Sequence, residues 1–132
     1  MLLVDTNVLV DVLQDDPQWA DWSIGQLRAH ATVHALVINP VIYAEMSLSF
    51  STIEALDDVI RTLRLEVREI PRPALFLAAK AYAQYRRRGG HKEQVLPDFF
   101  IGAHAAVSGW PLLTRDASRF ETYFPTLEVI GP

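Results

Sequence analysis

Four acidic side chains stand out because of where they fall in the chain. Asp5 ends an apolar run of four residues, and Asp116 follows shortly after a second apolar segment. Asp98 lies in the first turn of a strongly apolar predicted helix, and Glu45 lies on an apolar helical stripe that should face inward. Carboxylates gathered in one pocket repel one another, and Mg²⁺ or Mn²⁺ relieves that repulsion because these hard cations prefer oxygen ligands. Such a cluster suits hydrolysis of a phosphodiester bond by metal-activated water.

Each acid also has an ordinary structural explanation. Asp5, or Thr6 beside it, and Asp116 are placed to cap the helices that follow them. Asp98 complements the dipole of its own helix, and Glu45 is long enough to extend to solvent. These explanations weaken when the four residues are taken together, because the carboxyl ends of parallel strands meet at one edge of a sheet.

The elements that must position these acids alternate along the chain. The short apolar runs predict strands over residues 1–4, 33–38, 66–70, 112–113 and 127–130. Three-to-four spacing and capping signals predict helices over 8–13, 18–30, 40–48, 52–63, 74–88, 99–108 and 117–123. Right-handed crossovers between such strands predict a three-layer α/β/α domain with a central parallel sheet, spanning residues 1–132. The remaining acids are expected on solvated helix faces or caps: Asp11, Asp15, Asp16, Asp21, Glu54, Asp57 and Asp58.

Composition narrows the classes of protein. Half of the 132 residues are hydrophobic and 21% are charged, which is typical of a globular domain. The net charge of −4 provides no general attraction to nucleic acid, so a polyanion must be held by a local basic patch or through a metal. The absence of cysteine, of a signal peptide and of a membrane-spanning apolar segment predicts a cytoplasmic protein without disulfides.

One dense basic patch precedes Asp98 in the sequence, and another cation adjoins Asp116. Such cations neutralise backbone phosphates in nucleic-acid complexes, although cations at a helix carboxyl end are also favourable in their own right. Solvated helix ends are therefore the alternative explanation. The candidate RNA-binding residues are Arg86, Arg87, Arg88, His91, Lys92 and Arg115.

The motifs resemble those of PIN-domain ribonucleases, and most closely the VapC toxins of toxin–antitoxin pairs. The resemblance is carried by Met1-Leu-Leu-Val-Asp5-Thr-Asn-Val-Leu9, Glu45, Leu96-Pro-Asp98-Phe-Phe-Ile-Gly-Ala-His-Ala105 and Leu113-Thr-Arg-Asp116. It implies a PIN-like fold and an Mg²⁺- or Mn²⁺-dependent endoribonuclease. It assigns metal binding and catalysis to Asp5, Glu45, Asp98 and Asp116, with Thr6, Asn7 and Thr114 in support. It also implies a homodimer or a hetero-oligomer with a small VapB-like antitoxin.

Three other functions fit less well. A phospho-acceptor receiver domain would need paired acids after the first strand and a late lysine, but Thr6 and Asn7 follow Asp5. A phosphatase of the haloacid dehalogenase type would need a second aspartate where Asn7 stands. The four histidines lack the spacing of a zinc site. A catalytically silent PIN-like interaction module remains the alternative, and the presence of all four acids argues against it.

Overall fold

The structure, a computed structural model, describes residues 1–90 and 96–132. Strands and helices alternate along the described chain, as the sequence predicts. The elements are β1 (Leu2–Val4), α1 (Thr6–Leu13), α2 (Ala20–Ala31), β2 (Leu36–Ile38), α3 (Pro40–Ser47), α4 (Ile53–Thr62), β3 (Glu66–Val67), α5 (Arg72–Arg87), α6 (Leu96–Ser108), β4 (Leu112–Leu113), α7 (Ala117–Tyr123) and β5 (Val129–Ile130).

The five strands form one parallel sheet in the order β3-β2-β1-β4-β5. The predicted three-layer α/β/α fold is thereby confirmed. The chain first builds outward from β1 to β3 and then returns to add β4 on the other side of β1. The strand order therefore reverses between β1 and β4, and ligand sites of open α/β sheets lie outside the strand ends at such a point.

The central position of β1 explains its composition. Leu2, Leu3 and Val4 are fully buried, because neighbouring strands flank them and helices cover both faces of the sheet. The backbone N–H of Asp5 continues the ladder by donating to the carbonyl of Leu113, at 2.9 Å. The sheet therefore holds the main chain at Asp5 independently of the contacts that its side chain makes.

Several predicted elements are shorter in the structure, among them the strands predicted over residues 66–70 and 127–130, which are reduced to β3 and β5. The strand predicted over residues 33–38 begins only at Leu36, because the N–H of His34 still donates to His30 at the end of α2 and Val33 is exposed. The second helix begins at Ala20 rather than near residue 18. Before it, the Asp16 carboxylate accepts hydrogen bonds from the N–H groups of residues 18 and 19 and thereby holds a separate turn.

Helix α3, which carries Glu45, is oriented by a buried polar pair. Asn39 caps the helix by accepting from the N–H of Ile42, and Pro40 takes the first helical position. The amide of Asn39 lies 3.2 Å from Nδ1 of the buried His104 on α6. Because the Asn39 oxygen is used by the cap, its NH₂ group donates to Nδ1, and the His104 proton sits on Nε2.

In the part of the chain described here, no helix is long and apolar enough to cross a membrane.

Candidate active site

A polar pocket of about 160 Å³ opens where the strand order reverses. All four acids predicted from the sequence line it: Asp5 and Asp116 follow strands β1 and β4, and Glu45 and Asp98 lie on helices α3 and α6. Each acid lies near the beginning of a helix or on its inner side, so the sheet edge and the helices set their positions. The lining residues are Asp5, Thr6, Asn7, Glu45, Asp98, Asp116, Arg119 and Phe120.

Asp5 is the most buried of the four carboxylates, with 5% of its surface exposed. One of its oxygens accepts from the N–H of Thr6 at 2.7 Å, and the other accepts from the Thr114 hydroxyl at 2.8 Å. Burial raises the pKa of Asp5 from 3.8 to about 7; the Thr114 hydrogen bond opposes that rise, and the charges of Asp98 and Glu45 add to it. Asp5 therefore caps α1 and also lies in an environment that disfavours its negative charge.

Glu45 reaches the pocket from α3. Its Oε1 accepts from the Thr6 hydroxyl at 2.6 Å, so the residue after Asp5 ties the two acids to each other. Burial raises the pKa of Glu45, the Thr6 hydrogen bond lowers it, and the Asp98 charge raises it further. The predicted alternative, a glutamate extended to solvent, does not describe this half-buried and hydrogen-bonded side chain.

Asp98 lies in the first turn of α6 and is paired with a cation that the sequence analysis did not single out. Nη1 of Arg119, on α7, donates to Oδ2 of Asp98 at 2.8 Å. Burial raises the pKa of Asp98, the Arg119 guanidinium lowers it, and the Asp116 charge raises it. A signal was available, because Arg119 follows Asp116 by three residues on a predicted helix and must therefore project from the same side of it.

Asp116 occupies the N-cap position of α7, but its side chain makes no capping bond to the described backbone of that helix. Its Oδ2 instead accepts from the Asn7 amide at 3.3 Å. The same amide lies 3.4 Å from the Thr114 hydroxyl, which also accepts from the N–H of Asp116 at 3.1 Å. The supporting residues Asn7 and Thr114 thus join the ends of β1 and β4.

Asp11 is not a solvated acid, contrary to the expectation from the sequence. Only 2% of its side chain is exposed, and Arg115 binds it through two hydrogen bonds of 2.9 and 3.0 Å. The Ser23 hydroxyl also donates to Asp11, and the Arg115 guanidinium lies 5.5 Å from the ring centroid of Trp19. Arg115 is thus half-buried and paired with Asp11, next to the loop that carries Asp116, and its contact with RNA stays a prediction.

The other predicted RNA contacts lie at the end of α5 and beyond it. Arg86, Arg87 and Arg88 are exposed there, at the carboxyl end where cations complement the helix dipole. His91 and Lys92 lie outside the described residues.

A second cavity of about 220 Å³ adjoins the acidic pocket and shares Asp98, Arg119 and Phe120 with it. Aromatic rings form most of its walls, including those of Tyr85 and Tyr123, which pack edge to face with centroids 5.7 Å apart. Because Tyr85 belongs to the last turn of α5, this cavity extends from the acids towards the exposed arginines of that helix.

The donor set of the pocket is chemically suited to a hard cation. All four acids offer carboxylate oxygens, the ligands that Mg²⁺ and Mn²⁺ prefer. Burial first, and the charges of neighbouring carboxylates second, raise the pKa values of Asp5, Glu45 and Asp98, and a bound cation would stabilise their ionised forms. Across residues 1–90 and 96–132, however, no three His, Cys, Asp or Glu side chains are close enough together to hold a metal as they stand. Binding would therefore require the carboxylates to draw together.

Comparisons with known proteins agree with this architecture. The family model described as PIN domain matches residues 2–123. Among solved structures, a chain of VapBC2 from Rickettsia felis bound to a promoter DNA fragment matches with a TM-score of 0.75 and 18% identity, covering 98% of this chain and 97% of that one. VapBC-1 from nontypeable Haemophilus influenzae matches with a TM-score of 0.73 and 16% identity, covering 98% and 96% of the two chains.

A third structure, a toxin–antitoxin complex from Klebsiella pneumoniae, matches with a TM-score of 0.71 and 19% identity, covering 100% of this chain and 98% of that one. No curated protein sequence matches this chain. At these identities the solved structures establish the shared fold, whereas the family model covers most of the sequence itself. This chain belongs to the PIN domain family.

Proposed function

We propose that this protein is an Mg²⁺- or Mn²⁺-dependent endoribonuclease and the toxin of a toxin–antitoxin pair. The observation that carries the proposal is the convergence of four carboxylates from four elements on one pocket at the reversal point of the sheet. Such a concentration of negative charge destabilises a fold unless a cation neutralises it, and clusters of this kind occur mainly at functional sites.

Asp5, Glu45, Asp98 and Asp116 would hold the cation. When bound, such an ion lowers the pKa of a water ligand and stabilises negative charge on a phosphate. The chain itself contributes the positioning: Thr114 and the N–H of Thr6 orient the two oxygens of Asp5, and the Thr6 hydroxyl orients Glu45.

RNA is the proposed substrate because two features next to the acids suit a single strand. Aromatic walls like those of the adjoining cavity stack against unpaired bases, and its volume of about 220 Å³ accommodates a planar ring. The exposed cations Arg86, Arg87 and Arg88 lie at the end of the helix that lines this cavity, where they would pair with backbone phosphates.

A small antitoxin is the proposed partner. The structures that share this fold include VapBC assemblies and a toxin–antitoxin complex, and their chains are covered almost completely by this one. An antitoxin would silence the nuclease by placing a basic side chain near the four acids. The expected assembly is a homodimer or a hetero-oligomer of toxin and antitoxin.

The nuclease is tested with purified protein free of antitoxin, mixed with a pool of RNA. Cleavage should require Mg²⁺ or Mn²⁺, stop on addition of EDTA, and be lost in Asp5→Asn and Asp98→Asn. Asp21→Asn, a change of the same kind on the exposed face of α2, should cut like the wild type. Cleavage that survives EDTA or Asp5→Asn would refute the proposal, and sequencing of the cut ends would define the RNA.

One observation favours a second function, a catalytically silent interaction module. The described acids are not drawn together closely enough to hold a metal, as a silent PIN-like domain would also show. That function predicts no new RNA ends with any divalent cation.

The toxin role has its own test: induction should arrest growth, and co-expression of a short upstream reading frame encoding a DNA-binding domain and a tail should restore it.

A further inference from the structure

Arg119 is the one cation among the described residues that line the acidic pocket. It stands on α7, three residues after Asp116, and reaches across to Asp98 on α6. The negative charges of Asp98, Asp116 and Asp5 all attract its guanidinium. In the protein without metal, Arg119 therefore supplies a positive charge at the wall of the acidic pocket.

A comparison with Arg115 indicates how firmly Arg119 is held. Arg115 binds Asp11 through two hydrogen bonds, lies over a tryptophan ring, and has 28% of its side chain exposed against 2% for Asp11. Arg119 binds Asp98 through Nη1, with 49% and 21% of the two side chains exposed. Exposed ion pairs contribute little to stability, whereas breaking a buried one is costly. Arg115 is thus a fixed part of the fold, whereas Arg119 can leave Asp98 at little cost in stability.

A divalent cation would compete with Arg119 for the same group. A metal held by the four acids needs a carboxylate oxygen of Asp98, and Oδ2 of Asp98 is the atom that accepts from Arg119. The Arg119 side chain borders both the acidic pocket and the aromatic cavity, so it has room to turn away. Moving one flexible side chain would leave the sheet and the cores of the helices unchanged.

We propose that Arg119 is a displaceable counter-ion: it holds Asp98 while the pocket is without metal and releases that carboxylate when Mg²⁺ or Mn²⁺ binds. This inference rests on the proposed metal-dependent function. It assigns to Arg119 a role in setting the concentration of cation at which the site fills.

The first test is calorimetric titration of Mn²⁺ into the protein without RNA. Arg119→Gln should bind Mn²⁺ about fivefold more tightly than the wild type, because the competing partner of Asp98 is removed. Arg119→Lys, which keeps the charge, should stay within about twofold of the wild type. Arg28→Gln removes the same charge from the exposed end of α2 and should also change the affinity less than about twofold.

The second test follows the wild-type side chains directly, so it does not depend on a variant that folds. On saturation with Mg²⁺, the guanidinium ¹⁵N resonance of Arg119 should shift and narrow as the side chain leaves Asp98. The Arg115 resonance should stay in place, because Asp11 holds it.

The outcomes separate this inference from the proposed function. Mn²⁺ binding to the wild type, with equal or weaker binding to Arg119→Gln, would overturn the role of Arg119 while leaving the nuclease intact. Tighter binding to Arg119→Gln, together with a wild-type Arg119 resonance that does not move, would also overturn it. The gain in affinity would then come only from removing a positive charge near the site, and not from displacement of the side chain. No binding of Mn²⁺ or Mg²⁺ to any of these proteins would overturn both proposals.

Discussion

Replacing Asp5 by asparagine should stabilise the metal-free protein at alkaline pH and bring little gain at acidic pH. Asp5 is buried, and its pKa in the folded state is about 7, against 3.8 ordinarily. A folded pKa above the unfolded one means that stability is greatest below the unfolded value and falls as pH rises towards the folded value. The wild type should therefore lose stability between about pH 4 and pH 7.

The size of the effect follows from the same two values. One pKa unit corresponds to about 1.4 kcal/mol, so ionising Asp5 costs the folded state at most about 4 kcal/mol above pH 7. Somewhat under half of that cost is already present at pH 5, and about 2 to 3 kcal/mol accrues between pH 5 and pH 8. Asparagine keeps an acceptor for the N–H of Thr6, but it must donate to Thr114, which already accepts from two groups. That mismatch costs about 1 kcal/mol at every pH.

The assay is urea denaturation of wild type and Asp5→Asn in EDTA at pH 5 and pH 8. The difference in the free energy of unfolding should move in favour of the variant by about 2 to 3 kcal/mol between the two pH values. Contributions from titrating groups that do not interact with Asp5 cancel in that difference, whereas those of Glu45 and Asp98, whose charges act on Asp5, change with it. Asp21→Asn, at an exposed position, should show no such change. A difference that stays constant within about 0.5 kcal/mol would refute the assignment of Asp5 as a buried acid with a raised pKa.

Three further predictions concern the residues around the site. Arg115→Ala should lower the free energy of unfolding, measured in urea, by about 3 kcal/mol, because it leaves the buried Asp11 without its counter-ion. A double variant that also carries Asp11→Ala should recover part of the loss. A double variant no more stable than Arg115→Ala would contradict this prediction. Burial lowers the pKa of His104, so the stability that its neutral ring contributes is present above pH 6.5 and lost as pH falls. Between pH 7 and pH 5 the melting temperature of His104→Gln should therefore fall less than that of the wild type. Equal falls in the two melting temperatures would count against this prediction. Gly102→Ala would place Cβ 2.5 Å from a phenylalanine ring carbon and should cost about 1 to 3 kcal/mol, whereas Gly25→Ala, with open space around it, should not destabilise.

The fold was accessible from the sequence because its signals are local. An apolar run that ends at Asp5 predicts a buried strand, and Asn39 followed by Pro40 predicts a helix start; both occur where expected. Boundaries were less accessible. The apolar residue Val33 favours strand, but a backbone bond within the turn after α2 holds its neighbour out of the sheet.

The contacts within the site were harder to predict, because partners far apart in sequence decide them. Asp11 has a polar helical environment in sequence, and only the return of Arg115, 104 residues later, makes it a buried ion pair. The spacing from Asp116 indicates the side of α7 on which Arg119 lies, but its bond to Asp98 depends on how α6 and α7 pack. The convergence of the four acids was predicted from the strand ends before Asp5 and Asp116, from the helix positions of Glu45 and Asp98, and from the resemblance to PIN domains. Their catalytic roles remain predictions.

The central position of β1 has a consequence for how the protein is made. The hydroxyl that holds the second oxygen of Asp5 belongs to Thr114, which is synthesised 109 residues later. At about 5 to 20 residues per second, the nascent chain waits roughly 5 to 20 s for that partner. Until β4 emerges, one side of β1 has no neighbouring strand, and Asp116, which follows β4, is missing. Each newly made molecule is therefore without its complete acidic pocket until Asp116 has been synthesised.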